Sequence, residues 1–235
     1  MGDPATTTSG TSILDELSAI VREHSFRDPM LEAVRHGSMS RAGVRRWTLQ
    51  ASLVVREFTR FISAIHANCP DRDSQQLLAE NLWEEHGRGV ADRDHYALVR
   101  KLARSLGASD AEIDNAKPLA ETTMYIEHCF DVTRNGSFVE SMTALGIGVE
   151  SFVPAFFGRM AGHLSSNYGL SREDVQYLLV HVTEDETHAR RALEVIEAHA
   201  NTSELREKAK KALREMLAVK RTFSEAVYRY CLCAG

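Results

Sequence analysis

Hydrophobic residues recur at helical spacing along almost the whole chain, and this periodicity constrains the fold more than any other feature of the sequence. The segment from Ile13 to Glu23, for example, places its apolar residues on one stripe of a helix. No alternating run of Val, Ile and Thr between turn residues predicts a strand. The pattern therefore predicts an all-α protein whose short connections make neighbouring helices antiparallel in a bundle.

Capping and breaking residues divide this pattern into successive helices. Ser40 and Ser137 are typical N-cap residues, Pro29 occupies a first helical turn, and Pro70 follows the end of a long helix. We expect the helix that begins after Ser137 to continue through Pro154. The predicted helices cover approximately residues 13–23, 29–36, 41–68, 71–86, 92–107, 109–117, 119–135, 138–167, 171–200 and 203 to the C-terminus.

A chain of 235 residues is long enough to bury a substantial core in one large domain. The stretch from Met1 to Thr11 is rich in Gly, Ala, Thr and Ser and has no apolar run, so it does not resemble a secretory signal. We expect residues 1–11 to be a disordered leader and residues 12–235 to form a single helical domain, because no internal repeat or linker interrupts them.

Composition excludes several classes of partner and compartment. A net charge of −5 and a pI near 6.1 provide no basic surface for nucleic acid, and no run of 18 apolar residues predicts a membrane span. The four cysteines do not form a disulfide framework, and Cys231 and Cys233 are not a CxxC redox pair. We expect reduced thiols in a cytoplasmic protein that binds neither nucleic acid nor a membrane.

Two histidines and an aspartate lie at helical spacing in the segment 181–188, which reads HVTEDETH. His181, Asp185 and His188 are positions i, i+4 and i+7, which lie within roughly 60° of one another on a helix. Two imidazoles and a carboxylate directed into one volume suit a transition metal, and iron in particular. The alternative interpretation is a solvated helix face that carries two ordinary histidines.

Glu150 lies on a helix face that points toward the core, because Ile147 and Val153 lie near the same face. A buried glutamate needs a nearby cation, an arginine such as Arg159, or a proton. The sequence leaves these three possibilities open.

Two more candidates flank a glycine-rich turn. Glu85 continues an apolar stripe at the end of the fourth helix, and His95 shares its face with leucine and valine residues of the fifth. A lone histidine on such a stripe is more often a core residue with its hydrogen bonds satisfied. Glu84 lies on a different face and is expected to be solvated, and His86 is expected to be exposed.

The joint occurrence of these residues favours a metal site over separate structural roles. Three carboxylates balance most of the charge of two divalent ions, and six side chains leave coordination positions free for oxygen. Of the six, Glu85, Glu150 and His188 are the candidate catalytic residues. The predicted metal ligands are Glu85, His95, Glu150, His181, Asp185 and His188.

These residues, in this order, resemble the haem-oxygenase-like di-iron oxidases and oxygenases over about residues 25–200. The 181–188 motif is similar to the C-terminal ligand set of that family, Glu150 to its central glutamate, and Glu85 with His95 to its Glu-then-His pair. The resemblance implies a seven-helix bundle and two iron ions that change between Fe(II) and Fe(III). It also implies dioxygen as co-substrate and Glu150 as the bridging carboxylate.

Members of this family perform different oxidations, including decarboxylation of fatty acids to terminal alkenes, fragmentation of amino acids and oxygenation of amine nitrogen. One chlamydial member makes para-aminobenzoate from its own tyrosine and has a lysine near the metals. Here Met160 stands at the position of that lysine, and the third helix reads LQASLV over residues 49–54, without a tyrosine. We therefore expect no self-sacrificing reaction.

The leading hypothesis is a di-iron oxygenase that N-oxygenates a small amine or amino-acid-derived metabolite in a biosynthetic pathway. The sequence leaves open whether the electrons come from the substrate or from an external electron donor. Oxidative C–C or C–N cleavage, or decarboxylation, by the same site is the second. The same fold also supports haem enzymes, a cofactorless oxidase and thiaminase-like hydrolases, for which Cys129 is the candidate nucleophile. A non-enzymatic helical scaffold and a homodimer both remain open.

Overall fold

The computed structural model describes residues 12–24 and 27–234, and all regular secondary structure in these ranges is helical. The predicted leader, residues 1–11, lies outside the described residues. The all-α prediction is confirmed for the described part of the chain. The α-helices are α1 (Ile13–Glu23), α2 (Pro29–Arg35), α3 (Arg41–Ala67), α4 (Arg72–Glu85), α5 (His95–Ser105), α6 (Asp110–Asp114), α7 (Ala120–Asn135), α8 (Phe138–Met142), α9 (Val153–Tyr168), α10 (Gln176–His199) and α11 (Ser203–Leu232).

The bundle is organised around α3, which packs against α4, α5, α7 and α11, while α10 packs along α9. Two large apolar clusters fill most of it, and a small third cluster lies around Ile113. Of the two large clusters, one contains Phe61, Ile196 and Met216, and the other contains Met160 and Leu178. Helix α10 contributes residues to both clusters and therefore runs through the middle of the molecule.

Local capping sets several of the helix starts that the sequence predicts. The Ser40 hydroxyl accepts a hydrogen bond from the Gly43 amide, and the Asp71 carboxylate accepts one from the Ser74 amide. Ser137 starts α8 with a reciprocal capping box. Each cap gives a hydrogen-bond partner to an amide that the helix itself leaves unpaired. This stabilises the helix by about 1 kcal/mol.

The predicted uninterrupted helix over residues 138–167 is wrong. After α8 the chain forms a π-turn over Thr143–Ile147 and a 3-10 turn over Glu150–Phe152 before α9 begins. Pro154 lies in the first turn of α9, where its missing N–H is tolerated, and it cannot donate the bond that would extend the preceding helix. This break presents Glu150 to the interior of the bundle.

Two other predicted helix starts are several residues early. The fifth helix begins at His95 rather than near Asp92, because 3-10 turns occupy Gly87–Gly89 and Ala91–Arg93. Helix α10 begins at Gln176, whereas Ser171 caps a preceding turn through hydrogen bonds with Asp174.

One stretch, Phe138–Tyr168, is long and apolar enough to cross a membrane by length and composition, with a mean hydropathy of 1.2 over its most apolar window. Half of that window is buried inside the bundle, where α9 packs on α10 and α8 packs on α11. A core segment meets the same criteria, so the stretch is weak evidence for a membrane span.

Candidate metal centre

The six predicted ligands are all buried, at 8 % exposure or less, although they come from four separate segments of the chain. The last residue of α4 is Glu85, the first residue of α5 is His95, and the 3-10 turn begins at Glu150. The remaining three lie on α10, where the spacing of four and three residues turns them to one side of the helix.

One half of the site is formed by Glu85, His95 and His181. One potential ligand atom from each of these three side chains lies within 4.8 Å of the other two. The Glu85 Oε2 lies 2.8 Å from His95 Nδ1, and the His95 and His181 ring centroids are 4.4 Å apart. A carboxylate and two imidazoles at this spacing form a coordination set that suits iron.

The other half contains Glu150, Asp185 and His188. His188 Nδ1 lies 3.6 Å from Asp185 Oδ1, which is longer than a hydrogen bond. Glu150 and His188 line the same pocket, so this half of the site faces a cavity.

Two imidazole nitrogens in the site lack hydrogen-bond partners although they are buried. They are Nδ1 of His95, which contacts Glu85 without hydrogen-bond geometry, and Nδ1 of His188. Buried polar atoms are rarely left unpaired, and a nitrogen with no hydrogen-bond partner is the donor that a metal ion needs. The third histidine, His181, donates from Nδ1 to the Tyr177 carbonyl at 2.7 Å, which leaves its Nε2 free. These residues fit bound iron.

Burial raises the pKa of Glu150 to about 8, even though the attraction of His188 opposes this shift. The negative charges of Asp185 and Glu85 raise this pKa further, and a hydrogen bond from Asn81 lowers it. In the metal-free protein Glu150 therefore carries a proton near neutral pH.

The pKa values of the three histidines shift in different directions in this buried, acidic environment. Burial disfavours charge on His95 and His188, but neighbouring carboxylates outweigh it and raise their pKa values to about 10 and about 9. Burial lowers the pKa of His181. In the metal-free protein, protons on these groups therefore balance the negative charge of the carboxylates. Bound cations would balance that charge in their place.

Two acidic residues outside the predicted ligand set also contact the site. Glu84 is 16 % exposed, and its Oε2 lies 2.6 Å from His188 Nε2, so the prediction that Glu84 is solvated is wrong. Glu184 lies 3.3 Å from His95 Nε2. Proximity in sequence to Glu85 and Asp185 was the one available signal for these residues. The prediction that His86 is exposed is confirmed.

The pocket beside the second half of the site is small, with a cavity volume of about 40 Å³. Its polar end is formed by Asn81, Glu150 and His188, and Arg191 adds one further charged group. The remaining wall is almost entirely aliphatic or aromatic, with contributions from Ile62, Ile65, Leu77, Leu78, Phe138, Met142, Leu145 and Val195. An apolar wall with a few polar groups at one end is the arrangement typical of small-molecule sites.

Lys220 of α11 supports the broken segment that carries Glu150. Its ammonium donates to the carbonyls of Gly148 and Val149 at 3.2 and 3.1 Å, and it lies 4.5 Å from the Phe152 ring centroid. These carbonyls belong to the stretch where the helical hydrogen-bond ladder is interrupted. Burial lowers the pKa of Lys220 to about 8.

Cys129, the candidate nucleophile of a thiaminase-like reaction, is 1 % exposed. Burial raises the pKa of its thiol to about 12. A thiol in this environment is not ionised at neutral pH and is therefore a poor nucleophile.

A model of the family described as iron-containing redox enzymes matches residues 45–221. A 4-aminobenzoate synthase of Nitrosomonas europaea is 29 % identical to the chain over 224 residues, which are 91 % of this chain and 86 % of that protein. Both matches include all six predicted ligand positions within the span from Glu85 to His188.

Solved structures share the fold at low sequence identity. A Shewanella denitrificans protein with a haem-oxygenase-like fold has a TM-score of 0.74 at 14 % identity, covering 93 % of this chain and 89 % of its own. A TenA homologue of Pseudomonas syringae pv. tomato has a TM-score of 0.80 at 13 % identity, with coverage of 97 % and 98 %. The prediction of a haem-oxygenase-like bundle is confirmed.

Proposed function

Because the chain belongs to the family of iron-containing redox enzymes, and is thus an iron-binding oxidoreductase, we propose that its buried cluster binds two iron ions that activate dioxygen. Glu85, His95 and His181 would hold one ion, Asp185 and His188 the other, and Glu150 would lie between them. The substrate we propose is a small amine or amino-acid-derived metabolite, and the reaction is oxygenation of its amine nitrogen.

The observation that carries the proposal is the pair of buried, unpartnered Nδ1 atoms on His95 and His188. Both point into a volume that also contains buried carboxylates, and a protein interior does not tolerate such a concentration of negative charge without cations or protons. Two dications satisfy the nitrogens and the carboxylates together.

Bound ferrous ions would supply open coordination positions for dioxygen and the electrons that reduce it. The protein's contribution is orientation and exclusion of water. The Tyr177 carbonyl fixes the His181 ring through Nδ1, and the Phe157 ring packs edge-on against that imidazole at 5.4 Å. Glu150, His188 and Asn81 form the polar end of the pocket, where substrate would bind.

Transfer of one oxygen atom from dioxygen to an amine nitrogen consumes two electrons and two protons and releases one water molecule. We propose that these electrons come ultimately from an external donor. The protons would come from solvent, because bound iron would displace those that Glu150 and His188 carry in the metal-free protein.

A second candidate is formation of an aminobenzoate, because the Nitrosomonas europaea relative that matches 91 % of the chain is named 4-aminobenzoate synthase. The expected absence of a self-sacrificing tyrosine stays a prediction.

We also propose a cytoplasmic location, since the cysteines of the described residues are all free thiols.

The test is to load metal-free protein anaerobically with two equivalents of ferrous iron and mix it with ¹⁸O-labelled dioxygen, a reductant and a panel of amines. Oxygen uptake that depends on one amine, with a product that carries one ¹⁸O atom on nitrogen, supports N-oxygenation. Release of 4-aminobenzoate supports the second candidate, and a matching loss of protein mass would contradict the expected absence of a self-sacrificing tyrosine. Cleaved or decarboxylated products, or no oxygen uptake with any amine, would contradict N-oxygenation.

Two histidine variants provide the internal comparison. His188→Ala removes a predicted ligand and should abolish oxygen uptake and iron retention. His86→Ala, which alters an exposed histidine on the same segment as Glu85, should behave as the wild type. Full activity in His188→Ala would refute the assignment of the site.

A further inference from the structure

The turn between α4 and α5 holds a strained arginine. Arg88 has φ 53° and ψ 37°, and it is the one non-glycine residue with positive φ among residues 12–24 and 27–234. It lies between Gly87 and Gly89, which also have positive φ. Glycine or asparagine would adopt this left-handed conformation more easily, so the presence of arginine calls for a compensating interaction.

That interaction is an ion pair with Glu84. Arg88 donates from a guanidinium nitrogen to Glu84 Oε1 at 2.6 Å, while the other carboxylate oxygen, Oε2, lies 2.6 Å from His188 Nε2. Each oxygen of Glu84 therefore already has a partner, and neither is free to bind a metal ion. The three side chains form a chain of contacts from the surface to the buried imidazole, with Arg88 57 % exposed and His188 2 % exposed.

We propose that Glu84, held by Arg88, is a positioning residue that fixes His188 with its Nδ1 toward the metal ions. The inference rests on the proposed iron site and assigns a role to two residues outside its ligand set. The left-handed backbone at Arg88 directs its guanidinium back toward the last turn of α4, where Glu84 lies.

The geometry explains why the outward nitrogen matters. An imidazole that binds a metal through one nitrogen carries a proton on the other, and a carboxylate that accepts this proton fixes the tautomer and the ring orientation. His188 Nε2 has such a carboxylate, and its Nδ1 has no hydrogen-bond partner. Without Glu84, the ring would be free to rotate and to present either nitrogen to the metal.

Removal of a carboxylate in this role costs about 10- to 100-fold in metal affinity in comparable sites. We therefore expect Glu84→Ala to weaken the affinity for Zn²⁺, used as a diamagnetic substitute for ferrous iron, by about that factor. The number of ions bound at saturation should not change, because Glu84 is not itself a ligand. Glu84→Gln keeps an oxygen that accepts the Nε2 proton and should retain most of the affinity.

Arg88→Asn separates the interaction from folding. Asparagine tolerates the left-handed backbone, so the metal-free variant should melt at or above the temperature of the wild type. Its Zn²⁺ affinity should nevertheless fall, in the same direction as that of Glu84→Ala but by less. Glu194→Ala is the matched control, since Glu194 is an exposed glutamate of α10 that pairs with Arg190 and should leave affinity unchanged.

The tautomer itself is measured by NMR of Zn²⁺-loaded protein with ¹⁵N-labelled histidine. In the wild type we expect His188 to bind the metal through Nδ1 and to show a slowly exchanging Nε2 proton, which Glu84→Ala should lose. Failure of the wild type to bind Zn²⁺ or ferrous iron would refute the iron site and this inference together. Two bound ions in the wild type with unchanged affinity in Glu84→Ala, one ion fewer in that variant, or His188 coordinated through Nε2 would overturn this inference alone.

Discussion

Replacement of Glu150 with glutamine should stabilise the metal-free protein, although Glu150 is a proposed iron ligand. The carboxyl group is buried, and burial raises its pKa from 4.5 to about 8. The folded protein therefore keeps a proton on Glu150 at pH values where the unfolded chain has released it. Glutamine has nearly the same shape and has no proton to lose.

The sign and size follow from linkage between folding and protonation. A folded-state pKa above the unfolded value gives a contribution that is fully present below pH 4.5 and is lost as the pH rises through 8. Between pH 5 and pH 6.5 this loss amounts to about 2 kcal/mol in the free energy of unfolding. The histidines with raised pKa values contribute little in this window, because their unfolded pKa is about 6.5.

The assay is urea unfolding of metal-free protein, followed by circular dichroism, at several pH values from 5 to 6.5. The free energy of unfolding of the wild type should fall relative to that of Glu150→Gln by about 2 kcal/mol across this range. Glu194→Gln, a substitution at an exposed glutamate of α10, should run parallel to the wild type.

Addition of Zn²⁺ should reverse the order of stability, because the metal displaces the Glu150 proton and binds the wild type more tightly. Parallel pH curves for the wild type and Glu150→Gln would show that the carboxyl group is not held protonated by burial. That result would refute the electrostatic description of the site.

Three other perturbations test separate parts of the account. Lys220→Met should remove a rise of about 2 kcal/mol in the free energy of unfolding between pH 7 and 9.5, because the folded pKa of Lys220 is about 8 against an unfolded 10.5; identical pH profiles would contradict this. Gly146→Ala places a methyl group against Ala192 Cβ, one turn beyond His188, and should cost about 1–3 kcal/mol in urea unfolding. The double variant with Ala192→Gly should recover most of that lost stability. If it recovers none, the contact with Ala192 is not the cause of the loss. Cys129→Ala should leave iron loading and oxygen uptake unchanged, since the thiol is buried and un-ionised; a large loss of turnover would favour thiol chemistry.

Local signals predicted much of the fold. Ser40 and Ser137 cap helices as expected, because a cap depends on residues within one turn of each other. The spacing of His181, Asp185 and His188 likewise predicted a shared helix face, and the structure places all three in the interior.

The break in the helix that carries Glu150 was not predictable from local pattern alone. The segment 138–167 has helical periodicity on both sides of the interruption, and Pro154 by itself permits a continuous, kinked helix. What stabilises the break is tertiary: Lys220 arrives from α11 to bind the carbonyls of Gly148 and Val149.

The roles of Glu84 and Glu184 could not be predicted from helix geometry either. A helical wheel places Glu84 about 100° away from Glu85, which suggested a solvated face. That wheel takes no account of α10, which brings His188 to Glu84 from a position 104 residues away in sequence. Glu184 is similarly placed beside His95 by the packing of α10 on α5.

The central claim is that the buried carboxylate and histidine cluster binds two iron ions. The most direct measurement is elemental analysis of iron per chain after anaerobic ferrous loading and rapid desalting, with Mössbauer spectroscopy of the same ⁵⁷Fe sample. We predict two irons per chain in the wild type, both with nitrogen and oxygen ligands, and their loss in His188→Ala. One iron or none in the wild type under saturating ferrous iron would contradict it.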